Sequence, residues 1–284
     1  YGRYCNIVNV CSGNIGTVFS PSSQAEGLQV TEEAGRYAVQ AVNGAHQSAS
    51  NAVVSRSQQF CIKPKICLNS MFGDDYSFEK RGPIRISTNL ARNGAVLYGP
   101  DVSATSSYVL KNVRLRYMTV KDDGKSGEIL MNSVIGIKQS IHSQQANLSV
   151  RVPAQSVTGV VMTYISQANE IALLNDSFKL EYLPGLDELV YLFSDSQSKY
   201  ISYNITDMDD MSALGIAALS SSGIKCKVNS FQNAGGENVI HGLDFQSSVD
   251  LRSQKFAVNL RSVNDSLAAD PRNVYLHFLN MISL

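Results

Sequence analysis

Leu148-Ser-Val-Arg-Val152, a short polar loop, and then Val157-Thr-Gly-Val-Val-Met-Thr-Tyr-Ile165 decide how this chain reads. Leu148, Val150 and Val152 alternate with Asn147, Ser149 and Arg151, the period of two that puts one face of an antiparallel strand on a core and the other in water. The nine residues from Val157 are almost unbroken in their apolar character, as in a strand buried on both faces or lying at an interface. The same order returns from Phe256, 108 residues after Leu148: Phe256-Ala-Val-Asn-Leu260 and then the apolar run Val274–Ile282. Strand, polar loop and long apolar strand are therefore expected to close each of two tandem units.

Working outward, alternation continues at 109–119, where Val113, Leu115 and Tyr117 oppose Arg114 and Arg116. It recurs at 178–182 (Phe178, Leu180, Tyr182) and at 224–229 (Ile224, Cys226, Val228). Apolar runs at 134–141 and 188–193 read as further strands, separated by turn chemistry at Asp122-Asp123-Gly124, Pro184-Gly185, Ala234-Gly235-Gly236 and Asp270-Pro271. One segment reads as helix. Thr206 and Asp209 fit a capping box, and Met211, Leu214 and Ala218 share a face of Asp207–Leu219, with Gly215 weakening it and Ser220–Gly223 ending it. A shorter helix is expected around Ser22–Glu33. About eight strand candidates precede Ile165 from Ile62 onward and about eight follow Ile171, with no Pro- or Gly-rich linker between the blocks.

Composition narrows the function. The 284 residues carry 44% hydrophobic side chains, too many for a disordered chain. Only 17% are charged, against roughly 25% in ordinary soluble domains. In their place stand 37 serines and 21 asparagines. Twenty-four basic and 24 acidic residues balance, which argues against binding nucleic acid through a basic surface. Residues 1–142 hold 15 basic and 10 acidic residues and residues 143–284 hold 9 and 14, an asymmetry suited to head-to-tail packing of like subunits. No apolar run approaches the roughly 20 residues of a spanning helix. The sequence opens on Tyr1 without a basic stretch leading into an apolar one, so the natural start is expected upstream and no targeting signal is read.

Chemistry-bearing residues do not converge. Cys5 and Cys11, like Cys61 and Cys67, have five residues between them, looser than the roughly two to four of a zinc knuckle. Free thiols or a disulfide account for them, and an odd total of five argues against a secreted disulfide scaffold. His46, His142, His241 and His277 fall in no metal-binding spacing, and His277 reads as a structural imidazole in a strand. Asp123-Gly124-Lys125-Ser126 lacks the earlier glycine of a phosphate loop, where Thr119 stands. Asp207, Asp209 and Asp210 miss a calcium loop at Met211 and Ser212 and read as helix capping. Asp74-Asp75 and Asp122-Asp123 are candidates for a cation between subunits. Sequons at Asn147, Asn175, Asn204 and Asn264 are no more than this composition yields by chance. No catalytic, cofactor or metal residue is assigned.

With these residues read, the chain resembles the double jelly-roll major capsid proteins of tailless icosahedral viruses, the kind found in lipid-containing bacteriophages. The resemblance rests on Glu188-Leu-Val-Tyr-Leu-Phe193, Tyr200-Ile-Ser-Tyr-Asn-Ile-Thr206 and the helix that follows. It rests also on the closing Val249-Asp-Leu-Arg-Ser-Gln-Lys-Phe-Ala-Val-Asn-Leu260 and Asn273-Val-Tyr-Leu-His-Phe-Leu-Asn-Met-Ile282. It implies an all-β fold of two tandem eight-stranded jelly rolls packed side by side, with a short helix in the second. The first roll is expected over 61–168 and the second over 169–284, and residues 1–60 match no pattern. It further implies a non-enzymatic subunit of the virion, forming homotrimers that meet neighbouring capsomers, penton or minor capsid proteins and an internal membrane. Two other readings compete. A carbohydrate-binding module or lectin wants exposed aromatic rings, and the chain has 13 tyrosines but no tryptophan. A β-sandwich hydrolase wants a pair of converging carboxylates, and none stands out.

Overall fold

The computed structural model describes residues 130–171, 180–194, 200–206, 208–222, 240–263 and 269–283, with pieces at 29–31, 36–38 and 107–115 and a few single positions. Near the N-terminus β1 (Gln29–Thr31) and β2 (Arg36–Ala38) form an antiparallel pair. The main body runs β3 (Leu130–Ile141), β4 (Gln145–Val150), β5 (Val157–Ser166), α1 (Gln167–Ile171), β6 (Leu186–Ser194), β7 (Tyr200–Ile205), α2 (Met208–Ser221), β8 (His241–Val249), β9 (Phe256–Ser262) and β10 (Arg272–Ser283).

Strand pairing defines the topology. β3 pairs with β10, β4 with β9, β5 with β8 and β6 with β7, all antiparallel, as a long ribbon folded back on itself at the β6–β7 hairpin. Further pairing of β5 with β10 and of β6 with β9 wraps that ribbon into two four-stranded sheets. The first has the order β3-β10-β5-β8 and the second β4-β9-β6-β7. Eight strands wound in this way are a jelly roll, in which two packed sheets leave few edges open.

Side-chain periodicity follows from position. β4 and β9 lie in the second sheet with one face in solvent, and their burial alternates residue by residue. β5 is central in the first sheet, and every residue from Gly159 to Ser166 is buried. Val160, Met162 and Tyr164 join the core between the sheets, whereas Val161, Thr163 and Ile165 are covered on the opposite face. Phe256 of β9 is the hub of the core, edge-on to Phe278 of β10 at 5.2 Å and to Phe193 of β6 at 5.1 Å, so one ring ties both sheets together.

α2 lies on the first sheet through a seam of small residues. A Cβ on Gly242 would stand 2.5 Å from the carbonyl oxygen of Val160 and 2.9 Å from the Cα of Gly215. Gly215, which weakens the helix in sequence, is what lets α2 press its backbone against His241 and Gly242.

Several expectations are corrected. The recurrence at Leu148 and Phe256 does not mark two tandem units: Leu148 is paired with Val258, and β5 lies beside β10. A boundary at 168/169 cuts through this sandwich, because strands from both sides are needed to bury each sheet. Residues 107–115 form no strand, and Asn112 there has a left-handed φ of 54°, which breaks an extended run. Gln29–Thr31 is strand rather than helix. At 180–182 only Glu181 bridges, to Tyr164, and Leu180 is buried while Tyr182 is exposed. β8 and α1 had no legible signal. The strand expected at 224–229 lies outside the described residues.

Gly242→Ala is expected to destabilise the protein by about 1–3 kcal/mol, because backbone rather than a flexible side chain meets the new methyl group. Urea unfolding followed by circular dichroism measures it; an unchanged midpoint would contradict the seam.

Candidate functional site

Two polar constellations interrupt the apolar interior. The first gathers at one end of the first sheet, where β5 runs into α1 and β10 begins. The turn at Asp270-Pro271 brings the Pro271 carbonyl to the backbone N–H of Gln167 at 3.0 Å, so α1 is held against the start of β10. The buried Glu181 carboxylate accepts from the Ser166 backbone N–H at 2.7 Å, from the Asn169 amide at 2.6 Å and from the Arg272 guanidinium. Arg272 also donates to Asp270 at 2.7 Å, and Asp270 accepts from the Ser166 hydroxyl at 2.6 Å.

A second carboxylate, Glu170 of α1, accepts from Lys138 Nζ at 2.8 Å and from the Asn273 amide and the Tyr275 hydroxyl. Asn273 Oδ1 in turn accepts from Ser140 at 2.7 Å and Gln167 at 3.1 Å, joining β3 to the cluster. Burial alone would raise the pKa of Glu170, but the donors Lys138, Tyr275 and Asn273 and the Lys138 charge outweigh it and hold it below the usual carboxylate range. Lys138 is held above its ordinary value in return, its desolvation outweighed by Glu170 and Tyr275.

Such saturated carboxylates are suited to holding structure. A general acid or base working near neutrality needs a pKa near that pH, and Glu170 is displaced in the other direction. The cluster acts as a clasp joining β3, β5, α1 and β10.

The second constellation lies inside the core. Tyr164 of β5 and His241 of β8 share a hydrogen bond of 3.0 Å between the phenol oxygen and Nδ1, with their rings edge to face. Both are fully buried, and His241 Nε2 and the Tyr191 hydroxyl have no hydrogen-bond partner among the described residues. Burial pushes the His241 pKa down to about 4 and raises those of Tyr164 and Tyr191, the latter also through Tyr164. The imidazole is therefore neutral at physiological pH.

On the outer face of the second sheet a shallow hollow of about 480 Å³ is lined by Gln145, Asn147, Glu188, Asn259 and Arg261 among others. Asn147 donates to Asn259 across the strands at 2.6 Å, and Arg261 is paired with Asp187 and Glu188. Its lining holds no aromatic ring of the sort a sugar stacks on.

Of the residues singled out in sequence, His277 is buried on β10 and stacks on Tyr275, and His142 is exposed between β3 and β4. Asn147 and Asn204 are exposed on strands of the second sheet. Thr206 stands two residues before Met208, where α2 begins. Cys5, Cys11, Cys61, Cys67, Cys226, His46, Asp74, Asp75, Asp122, Asp123, Asn175 and Asn264 lie outside the described residues. Among the described residues no group of three His, Cys, Asp or Glu side chains could hold a metal ion. Sequence reasoning passed over Glu170, Glu181 and Arg272. Their one signal was a charged residue beside a long apolar strand, which reads equally as a solvated strand end.

No family model and no curated protein matches the chain. Among solved structures it is similar to the crystal structure of the major capsid protein P2 from bacteriophage PM2, at 9% identity and a TM-score of 0.30, over 54% of this chain and 45% of that one. It is similar also to PBCV-1 VP54 fitted into a cryo-EM reconstruction of the virophage Sputnik, at 8% identity and a TM-score of 0.32, over 56% and 49%. A quasi-atomic model of the PBCV-1 virus capsid gives 8% identity and a TM-score of 0.30, over 55% and 49%. The first and third of these are named as viral capsid structures. The matches span about half the length of each of those chains.

Arg272→Met is expected to cost about 3 kcal/mol by leaving Glu181 buried without its cation, and adding Glu181→Gln should restore more than half of that. Urea titrations of the two variants check this; equal stabilities would contradict a paired clasp.

His241 gives a pH dependence. Its pKa is about 4 folded and about 6.5 unfolded, so the unfolded chain binds the extra proton between these values and stability falls as pH drops through that window. The loss is about 2 kcal/mol by pH 5 relative to pH 7.5. His241→Gln should lose about that much less over the same interval when unfolding is compared at the two pH values.

Proposed function

We propose that this chain is a structural subunit of a virion shell, a major capsid protein rather than an enzyme. The observation that carries the reading is the eight-stranded jelly roll with a filled interior. Tyr164, Tyr191, Phe256 and Phe278 occupy the space between the sheets, and the clasp carboxylates are engaged by donors rather than aimed into a cleft. Jelly rolls serve capsids and lectins alike. The outer hollow without aromatic rings and the sequence without tryptophan weigh toward the capsid.

In this reading the subunit trimerises with a pseudo-sixfold outline and tiles an icosahedral shell. It meets neighbouring capsomers, penton and minor capsid proteins and an internal membrane, and it makes no sequence-specific contact with nucleic acid. Low charge supports it, since flat faces then approach without like-charge repulsion, and many modest interfaces add up in a closed shell. The tandem architecture is kept as a proposal with moved boundaries. One roll spans 130–283, and its companion is assigned to residues before 130.

Size-exclusion chromatography with light scattering and negative-stain microscopy test the reading. Trimers, rings or shells are expected. A monomer at every salt and protein concentration, above all one that binds glycans, overturns it.

A further inference from the structure

The two sheets differ on their outer faces. The outward residues Val161, Thr163 and Ile165 of β5 in the first sheet are buried. In the second sheet, register sets Asn147, Asn259, Val190 and Asn204 in one row across the strands and Ser149, Ala257 and Leu192 in the next. Each of the seven is exposed or half-buried, and none is charged. A flat centre of this kind, polar with a few apolar side chains and no charge to strip of water, suits contact with another protein surface.

Charge returns at the two ends of that face. At one end Arg261 pairs with Asp187 at 3.0 Å and with Glu188 at 3.3 Å, so two carboxylates share one guanidinium and a negative charge is left over. At the other end Arg151 continues the outward alternation of β4, is exposed, and makes no ion pair among the described residues. Glu188 lies on β6, level with Arg261 and Gln145, whereas Arg151 lies beyond the far end of β4, two strands away. The two are separated by roughly 20 Å along the strands, too far to pair within one chain.

We propose that the outer face of the second sheet packs against the same face of a second copy of this chain, with Arg151 of each copy meeting Glu188 of the other. A two-fold axis lying in the interface along the diagonal of the sheet carries each charge to the corner held by its opposite. It also sets the strands of one copy across those of the other, the orthogonal mode of sheet packing. Four strands by six residues give a face of roughly 400 Å² per copy, half of the ~800 Å² per partner in a standard interface. Such a contact is weak between two free subunits and gains strength where many copies are held together in a shell. This inference rests on the shell-subunit reading, because it requires that copies associate.

Sedimentation velocity over a range of protein concentrations, with thermal melts alongside, compares the unaltered chain with Arg151→Glu, Glu188→Arg and the double reversal. Each single reversal sets like charges against each other and should weaken association at least ~10-fold at an unchanged thermal midpoint, and the double reversal should restore it. Arg151→Lys serves even if the reversals fail to fold. It offers an amine, so zero-length carbodiimide coupling read by peptide mass spectrometry should join position 151 of one copy to Glu188 or Asp187 of another. Single reversals that leave association unchanged, a double reversal that does not restore it, or absence of that coupling each overturn the paired face while leaving the shell reading intact. An unaltered protein that is monomeric at every concentration overturns both.

Discussion

The hydrogen-bonded contact between β5 and β10 is the constraint on which the rest of the molecule depends. β5 is buried on both faces from Gly159 to Ser166 and β10 is buried at most positions from Asn273 to Leu279, so neither suits the edge of a sheet. Placing them side by side gives the first sheet a centre, with β3 closing one flank and β8 the other. The inner faces then demand a second sheet, and Phe256 meets Phe278 and Phe193 where the two layers touch. The outer face of β5 demands a further cover, and α2 supplies it where Gly159, Gly215 and Gly242 let backbones approach. Pairing over more than a hundred residues is slow to find, since loop-closure entropy opposes it before any contact is made.

That constraint also explains the polar clasp. Where β5 leaves the sheet and β10 enters it, backbone groups at the strand ends need partners, and the chain meets them with two buried carboxylates surrounded by donors. Burying a carboxylate is costly unless it is paired, so Arg272 and Lys138 are part of the same arrangement. The Tyr164–His241 pair is a different case, a neutral hydrogen bond inside the core that is stable only while the imidazole stays uncharged. Both constellations are polar, buried and convergent, features that in another setting would mark an active site. The donors that surround Glu170 and hold its pKa low, and the burial that keeps His241 neutral, give them a structural role here.

Much of the fold was legible in one dimension. The runs at 134–141, 157–165, 188–193, 256–261 and 273–282 lie on strands of the sandwich, the run at 147–152 does so as far as Val150, and the helix after Thr206 is present, because period and capping depend on near neighbours. β8 was not legible: its outward residues Asp244, Gln246 and Ser248 are polar, and Gly242 is there for the helix above it. The clasp was not legible either, since Glu170, Glu181 and Arg272 become a site only when segments about a hundred residues apart are brought together. At 107–115 the alternation was present without a strand, because Asn112 takes a left-handed φ that breaks the extended run.

The amino-acid sequence by itself determined that this protein is built of β-strands, which of them have one buried face and which two, and that its surface is short of charge. Those properties are local, set by side-chain period and composition. Only the tertiary structure decided that the phrases at Leu148 and Phe256 are neighbours in one sandwich rather than the ends of two units. Repetition in a sequence states that two segments need similar surroundings, and hydrogen bonding between strands settles whether they meet that need apart or by lying against each other.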